Sequence, residues 1–399
     1  MNSSRISRVR IPLVSLLGIL VLLAGCRHLD DVAAERFARM PAADDVVADG
    51  SWYTPTVTVK GRARPWVTPV VKQQARAEAQ AAKLAAARQL ARDYDTLALV
   101  VLRDGQLLLE DYAAGIDPTR RFDTQSMHRG LLVLAVLAAI EDGHIPSLDT
   151  PAARWLPEWR GVDDPRRLIT IGDLLWGQAG LADPPFENRP DSPGMQMFIG
   201  PDLRRIALAQ PARTARGTID RSSTLDAQVL GLVLEAATGR SYARYLSKRV
   251  WQPAGAADAY VRLDRPRGNT RTFCCIQASA RDWARIGQLV LDRGVGANGR
   301  ALKEESIATM LAPSPLAAAH GMVWAREPVL LVPRSVQAGR TAPELTPFTD
   351  DGVYYIGGRG GQRVFVLTRQ RAVIVRIGRV RNDFDDGKFV NAFIEALQP

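Results

Sequence analysis

Residues Ser126 to Glu141 limit the fold more than any other stretch of this chain. After Ser-Met-His-Arg the run reads Gly-Leu-Leu-Val-Leu-Ala-Val-Leu-Ala-Ala-Ile, leaving no polar face for water. A helix that is apolar on nearly all sides has to be enclosed by other parts of the chain. With 399 residues, 46% of them hydrophobic, there is enough chain to enclose it. The same composition argues against disorder and against several membrane spans.

The segments that enclose it read as follows. Val71, Ala75, Ala79, Ala82, Ala86 and Leu90 recur at steps of three or four and predict a helix over 70–92. Thr96 to Leu102 and Gln106 to Tyr112 flank Arg103-Asp104-Gly105, a hairpin signal. Further helices are predicted at Ile171–Trp176, Leu225–Thr238, Tyr242–Val250 and Ala278–Asp292, with Gly239, Gly255 and Gly294 as stop signals. Strands return at Val353–Ile356, Arg363–Thr368 and Ala372–Ile377, and Asp385–Leu397 closes the chain as an amphipathic helix. Strands at both ends of a helical block predict an α+β fold. Its antiparallel sheet is built from N- and C-terminal segments and flanked by terminal helices, beside a large, mainly helical middle domain. The expected division is a leader at 1–25, a tether and irregular lead-in at 26–68, and one domain at 69–399. Within that domain the sheet part takes about 69–120 and 315–399, the helical part about 121–314.

Met1 to Arg10 is basic, Ile11 to Leu23 is apolar apart from Ser15 and Gly18, and Leu23-Ala24-Gly25-Cys26 follows. This is the pattern of a secretory signal, too short for a stable span. The tetrapeptide resembles a bacterial lipobox, which implies that Cys26 is acylated and anchors an envelope protein. Arg27, where an inner-membrane lipoprotein often carries aspartate, points to the periplasmic face of the outer membrane. Of the remaining cysteines, Cys274 and Cys275 are adjacent, with Cα atoms about 3.8 Å apart, below the usual disulfide range. They are expected to be small buried residues without a bond, and no metal-ligand spacing or cofactor motif surrounds them. The net charge of +10 is mostly arginine spread along the chain, a solvated basic surface with no nucleic-acid motif.

Ser126 opens the enclosed helix, where unsatisfied N–H groups and the helix dipole favour developing negative charge, and Arg129 shares its face three residues on. Around this point the chain resembles the serine β-lactamase-like hydrolases: class C β-lactamases, penicillin-binding carboxypeptidases, related esterases and 6-aminohexanoate-dimer hydrolases. The likeness runs collinearly over roughly 90–398. It rests on Leu97–Tyr112, the Ser126 segment, Gly143–Pro151, Ile169–Leu175 with Gly180-Leu181, Leu230–Gly239, Tyr245–Ala256, Ala278–Gly287 and Gly358-Arg359-Gly360-Gly361-Gln362. It leans to the esterase and amide-hydrolase branch.

The resemblance implies that Ser126 is the nucleophile. It puts the family's lysine on Arg129, its tyrosine on Arg221 ahead of Ser222-Ser223, and its third motif on Ile356-Gly357-Gly358. It further implies that Ser223, Gly358, Gly361 and Gln362 line the substrate, with an oxyanion held by Ser126 N–H and a strand N–H near Gly361. Arginine, with a pKa above about 12, cannot become the neutral base that a desolvated lysine can. His128 lies about 200° round the helix from Ser126 and is expected to point away. His144 and His320 are distant in sequence, Tyr354 and Tyr355 belong to the strand expected to edge the cleft, and no Gly-x-Ser-x-Gly elbow occurs. Two expectations therefore stand. One is a serine hydrolase acting on a small ester or amide, with classical β-lactamase activity the least expected version. The other is a catalytically inactive lipoprotein that uses the cleft to bind a cell-wall fragment or a protein partner. Fold alone decides neither.

Overall fold

The computed structural model describes residues 31–42, 50–67, 78, 82–218, 223–328, 345–381 and 383–398. The leader, Cys26, Arg221, Ser222 and most of the first half of the 70–92 helix lie outside the described residues. In chain order the elements that place the site are α1 (31–39), β1 (Thr56–Val59), α2 (Ala85–Asp93), β2 (Thr96–Arg103), β3 (Gln106–Tyr112) and β4 (Phe122–Asp123). A 3-10 turn, Gln125–Met127, leads into α3 (His128–Glu141). There follow α4 (Ile171–Leu175), α5 (Pro193–Ile199), α6 (Leu203–Leu208), α7 (Thr224–Thr238) and α8 (Tyr242–Leu246), then β5 (Ala259–Arg262), β6 (Gln277–Ala278), α9 (Ala280–Leu291) and α10 (Glu304–Leu311). The chain finishes with β7 (Val353–Gly358), β8 (Gln362–Leu367), β9 (Ala372–Gly378) and α11 (Asp386–Ala396).

The five-stranded sheet has the order β3-β2-β9-β8-β7, antiparallel throughout, so the N-terminal hairpin pairs with the C-terminal strands as expected. Side chains alternate between its faces. Val100, Leu102, Val364, Val366, Val373 and Val375 join the large core with α9 and α3, while Leu99, Val101, Phe365, Leu367 and Ile374 pack against α2 and α11. Burial on both faces is why these strands read as continuous apolar runs rather than alternating ones. Each fully enclosed valine or leucine contributes about 1.5–3 kcal/mol relative to exposure. α3 is buried at nearly every position from His128 to Ala139, which bears out the enclosed helix.

A second, four-stranded sheet, β1-β5-β6-β4, was not foreseen. Thr56–Val59 pairs with Ala259–Arg262, so part of the expected irregular lead-in belongs to the fold. Its Thr-Val-Thr-Val alternation is only four residues long, between Pro55 and Pro65, too short to read as a strand. The predicted helix over 242–250 runs from α8 into a π turn at Ser247–Trp251. Gly239, Gly255 and Gly294 have φ of +63°, +83° and +87°, the left-handed values a helix stop requires. Cys274 and Cys275 correct the sequence expectation: they are disulfide-bonded to each other. Cys275 takes φ +76°, off the extended backbone that would turn neighbouring side chains to opposite sides.

Candidate active site

The turn that carries Ser126 is held along its length by one distant segment. Pairing of Phe122 with Ala278 and of Asp123 with Gln277 brings residues 273–276 alongside 124–129. Thr124 donates from its N–H (3.3 Å) and Oγ1 (3.1 Å) to Ile276 O, and Cys275 N–H donates to Gln125 O at 3.2 Å. His128 Nδ1 donates to Cys274 O at 2.6 Å and Arg129 Nε to Phe273 O at 3.3 Å. Gln125 has φ +52°, a conformation that costs a non-glycine residue of the order of 1 kcal/mol or more. Its N–H is fixed by Asp123 Oδ1 at 3.1 Å. The other Asp123 oxygen is 2.5 Å from Arg262 Nη2, both side chains buried, with Arg262 lying over the Trp52 and Tyr53 rings. The bend that presents the half-buried Ser126 is thus determined from outside the turn.

Gly358 at the end of edge strand β7 closes the other side. A Cβ there would stand 2.5 Å from Thr124 O, so only glycine lets the strand approach the Ser126 turn this closely. Gly361 and Gln362, expected to line the substrate, are placed differently. Gly361 faces Arg376 and Phe384, and the fully buried Gln362 exchanges hydrogen bonds with the Gly378 backbone (2.6 and 3.0 Å). Both serve the packing of β8 on β9, and the strand residue set against the Ser126 turn, at Thr124 O and Gln125 Cβ, is Gly358. Tyr355 belongs to the far core and Tyr354 is half-buried on the near side. A groove of about 790 Å³ opens at the same end of the sheet, lined by Leu97, Tyr112, Arg120, Phe122 and Arg379, and does not include Ser126.

Arg129 projects one turn below Ser126 toward the start of α7, where Nη2 donates to Thr224 Oγ1 at 3.0 Å. Burial draws its guanidinium below the ordinary value, against the charges of Asp183 and Asp226. Ser223 caps α7, its Oγ accepting Asp226 N–H at 2.9 Å. Asp183 Oδ1 accepts Leu225 N–H at 3.0 Å. Asp226 is the residue that sequence reasoning missed. It is 3% exposed, and among the described residues its Oδ1 has no hydrogen-bond partner. Burial pushes its carboxyl up to about 7; Asp183 adds to the rise, while Ser223 and Arg129 oppose it. The sequence signal was Ser-x-x-Asp at a helix start, which ordinarily means only a cap.

His128 is committed elsewhere. It is fully buried between Cys274 O and Tyr242 Oη (2.9 Å from Nε2), and burial lowers it to about 4. With Nδ1–H given to the carbonyl, Nε2 accepts from the tyrosine, so neither nitrogen serves Ser126. This agrees with its expected direction.

A serine on the first turn of an enclosed helix, pressed by a glycine at a sheet edge and faced by a second helix N-terminus, is the framework of the penicillin-recognising serine hydrolases. The beta-lactamase family model matches residues 75–390, and the chain belongs to that family. It is 28% identical over 269 residues to the 6-aminohexanoate-dimer hydrolase of Paenarthrobacter ureafaciens, covering 65% of this chain and 67% of the relative. It is 34% identical over 180 residues to esterase EstB of Burkholderia gladioli, covering 40% of this chain and 45% of that protein. Among solved structures, a Bacillus anthracis protein assigned to the 6-aminohexanoate-dimer hydrolases superposes with a TM-score of 0.68. That match covers 90% of this chain and 98% of the other, and at 17% identity it shows the shared fold.

Proposed function

We propose that this chain is an envelope serine hydrolase that opens a small ester or amide bond through an acyl-enzyme on Ser126. The observation that carries the reading is the Ser126 turn itself, hydrogen-bonded to residues 273–276 on one side and pressed by Gly358 on the other. Ser126 Oγ attacks the carbonyl, and the oxyanion forms between Ser126 N–H and an N–H at the Gly358 end of β7. Arg129 stays charged throughout and orients Ser126 or stabilises that oxyanion. The serine proton needs an acceptor other than Arg129, and the buried carboxyl of Asp226, pushed up to about 7 and facing Arg129 at the start of α7, is the group that Asp226→Asn tests for that role. The names of the two relatives, a dimer hydrolase and an esterase, support the substrate class.

The rival reading, a binder without turnover, is favoured by one observation: the guanidinium in the lysine position is bonded to Phe273 O and Thr224, and cannot take a proton. Labelling with a fluorophosphonate and a fluorescent penicillin separates the two. Ser126-dependent labelling and ester turnover by the parent, absent from Ser126→Ala, are the expected result. A silent parent that gains labelling on Arg129→Lys would establish the binder instead.

The anchor belongs to the same proposal. Its support is the Leu23-Ala24-Gly25-Cys26 sequence behind a basic and then apolar leader, which assigns attachment to an acyl chain on Cys26. Cys26→Ser is expected to move the protein from the membrane fraction to the soluble one; a variant that stays with the membrane refutes the anchor.

A further inference from the structure

The segment that frames Ser126 contains a covalent feature that the hydrolase reading does not use. Cys274 and Cys275, 2% and 1% exposed, are joined through their sulfurs in the middle of the 273–276 strap. Their backbone groups are themselves part of the frame: Cys274 O receives His128 Nδ1–H, and Cys275 N–H is given to Gln125 O. Gln125 and Cys275, hydrogen-bonded to each other, both take left-handed φ, +52° and +76°. Neither is a glycine, so each holds that conformation only while its surroundings impose it. For Cys275 the ring closed through Cys274 is one such constraint. Release of the ring frees Cys275 to return to ordinary backbone angles, which displaces the two atoms that bond Gln125 and His128, on either side of Ser126.

We propose that the Cys274–Cys275 disulfide is a redox-controlled positioning element for Ser126: bonded, it holds the strap that presents the nucleophile; as two thiols, it lets the turn relax. The role rests on Ser126 being the nucleophile, but the link between bond and turn is structural and can be read without activity. The switching chemistry is a two-electron exchange with a thiol reductant. A reductant thiolate attacks one cysteine sulfur, the S–S bond breaks, and the other sulfur leaves as a thiolate and takes a proton. A second reductant thiol then resolves the mixed disulfide, leaving two cysteine thiols and the oxidised reductant. Because both sulfurs are buried, reduction requires the strap to open locally, and the Ser126 turn opens with it. A misplacement of about 1 Å at a reacting group costs on the order of 100-fold in rate, so a small relaxation is enough to be seen.

The experiment uses the full chain purified from an oxidising compartment, with dithiothreitol as the reductant. Alkylation after denaturation, without prior reduction, is expected to leave Cys274 and Cys275 unmodified. Free thiols there overturn the proposal, as does a bond that survives excess dithiothreitol in the native protein. Amide hydrogen exchange is then compared with and without reductant. Peptides through 122–130 are expected to exchange at least about tenfold faster on reduction while those through 364–375 do not change; equal exchange at 122–130 overturns the link. Finally, fluorophosphonate labelling of Ser126 is expected to slow about 10- to 100-fold on reduction, with KM for an ester little altered, and to recover on reoxidation. Cys274→Ser/Cys275→Ser is expected to be slow with or without reductant; parent-like rates in that variant overturn the role. A parent that never labels removes the hydrolase reading, and the exchange experiment still decides whether the bond controls the turn.

Discussion

Asp226 is a buried carboxyl whose protonation ties the stability of the fold to pH. Its native pKa of about 7 lies above that of an aspartate in the unfolded chain, about 3.9, so between those values the folded protein holds the extra proton. Stability contributed this way is present at low pH and declines as pH rises through the window, because the folded state must then carry a desolvated charge. Asp226→Asn is expected to flatten the fall in melting temperature between pH 5 and pH 8 relative to the parent. If the carboxylate accepts the Ser126 proton, parent kcat/KM rises with an apparent pKa near 7, and the asparagine variant loses that limb along with most of its rate. A variant with the parental pH profile shows that the carboxyl only buttresses Arg129. Arg129, three positions beyond Ser126, stands where the resemblance puts the family's lysine, and the carboxyl groups facing it, Asp183 and Asp226, are what an obligate cation needs there.

Among the elements, β7 and the 3-10 turn work as a pair. Gly358→Ala places a methyl 2.5 Å from Thr124 O, inside van der Waals contact, so either the strand or the turn must shift. The strand's pairing with β8 runs from Val353 to Gly358 and resists that shift, so the turn is expected to yield. Activity should fall on the order of 10- to 100-fold with the melting temperature changed by only a few degrees. Retention of full activity would place the reacting carbonyl away from this contact. Elements governed by near neighbours were legible beforehand. The hairpin, the three C-terminal strands and the closing helix agree with the sequence reading to within a few residues, because burial on both faces leaves continuous apolar runs and caps such as Ser279 with Asp282 mark the start of α9. The short elements were not legible. α5, α6 and β1 are each seven residues or fewer, too few to show a period, and they form because neighbours cover them.

For the molecule as a whole, the N-terminal segment is a structural member. Arg36, 4% exposed, donates to Thr54 O (3.0 Å), Ile199 O (2.6 Å) and Asp264 O (2.9 Å), tying α1 to α5 and to the loop after β5. Arg36→Ala leaves buried carbonyls without a donor. It is expected to lower unfolding free energy by about 1.5–3 kcal/mol in urea titration, while a change at exposed Arg39 has almost no effect. Equal effects would mean that the segment is not docked in solution.

The family resemblance alone put an arginine where a base is expected. Local pattern was enough to establish an α+β chain, an enclosed helix opened by Ser126 and a sheet closed between the two ends of the chain. Those properties follow from periodicity, capping and side-chain chemistry, which act between residues a few positions apart. What surrounds Ser126 was decided in three dimensions. The strap comes from 146 residues away in the case of Cys274 and His128, Asp226 arrives on the start of α7, and Gly358 reaches the turn while Gly361 and Gln362 face into the sheet. Backbone hydrogen bonds and buried charge across such separations leave no period in the sequence, and chain closure alone brings them together.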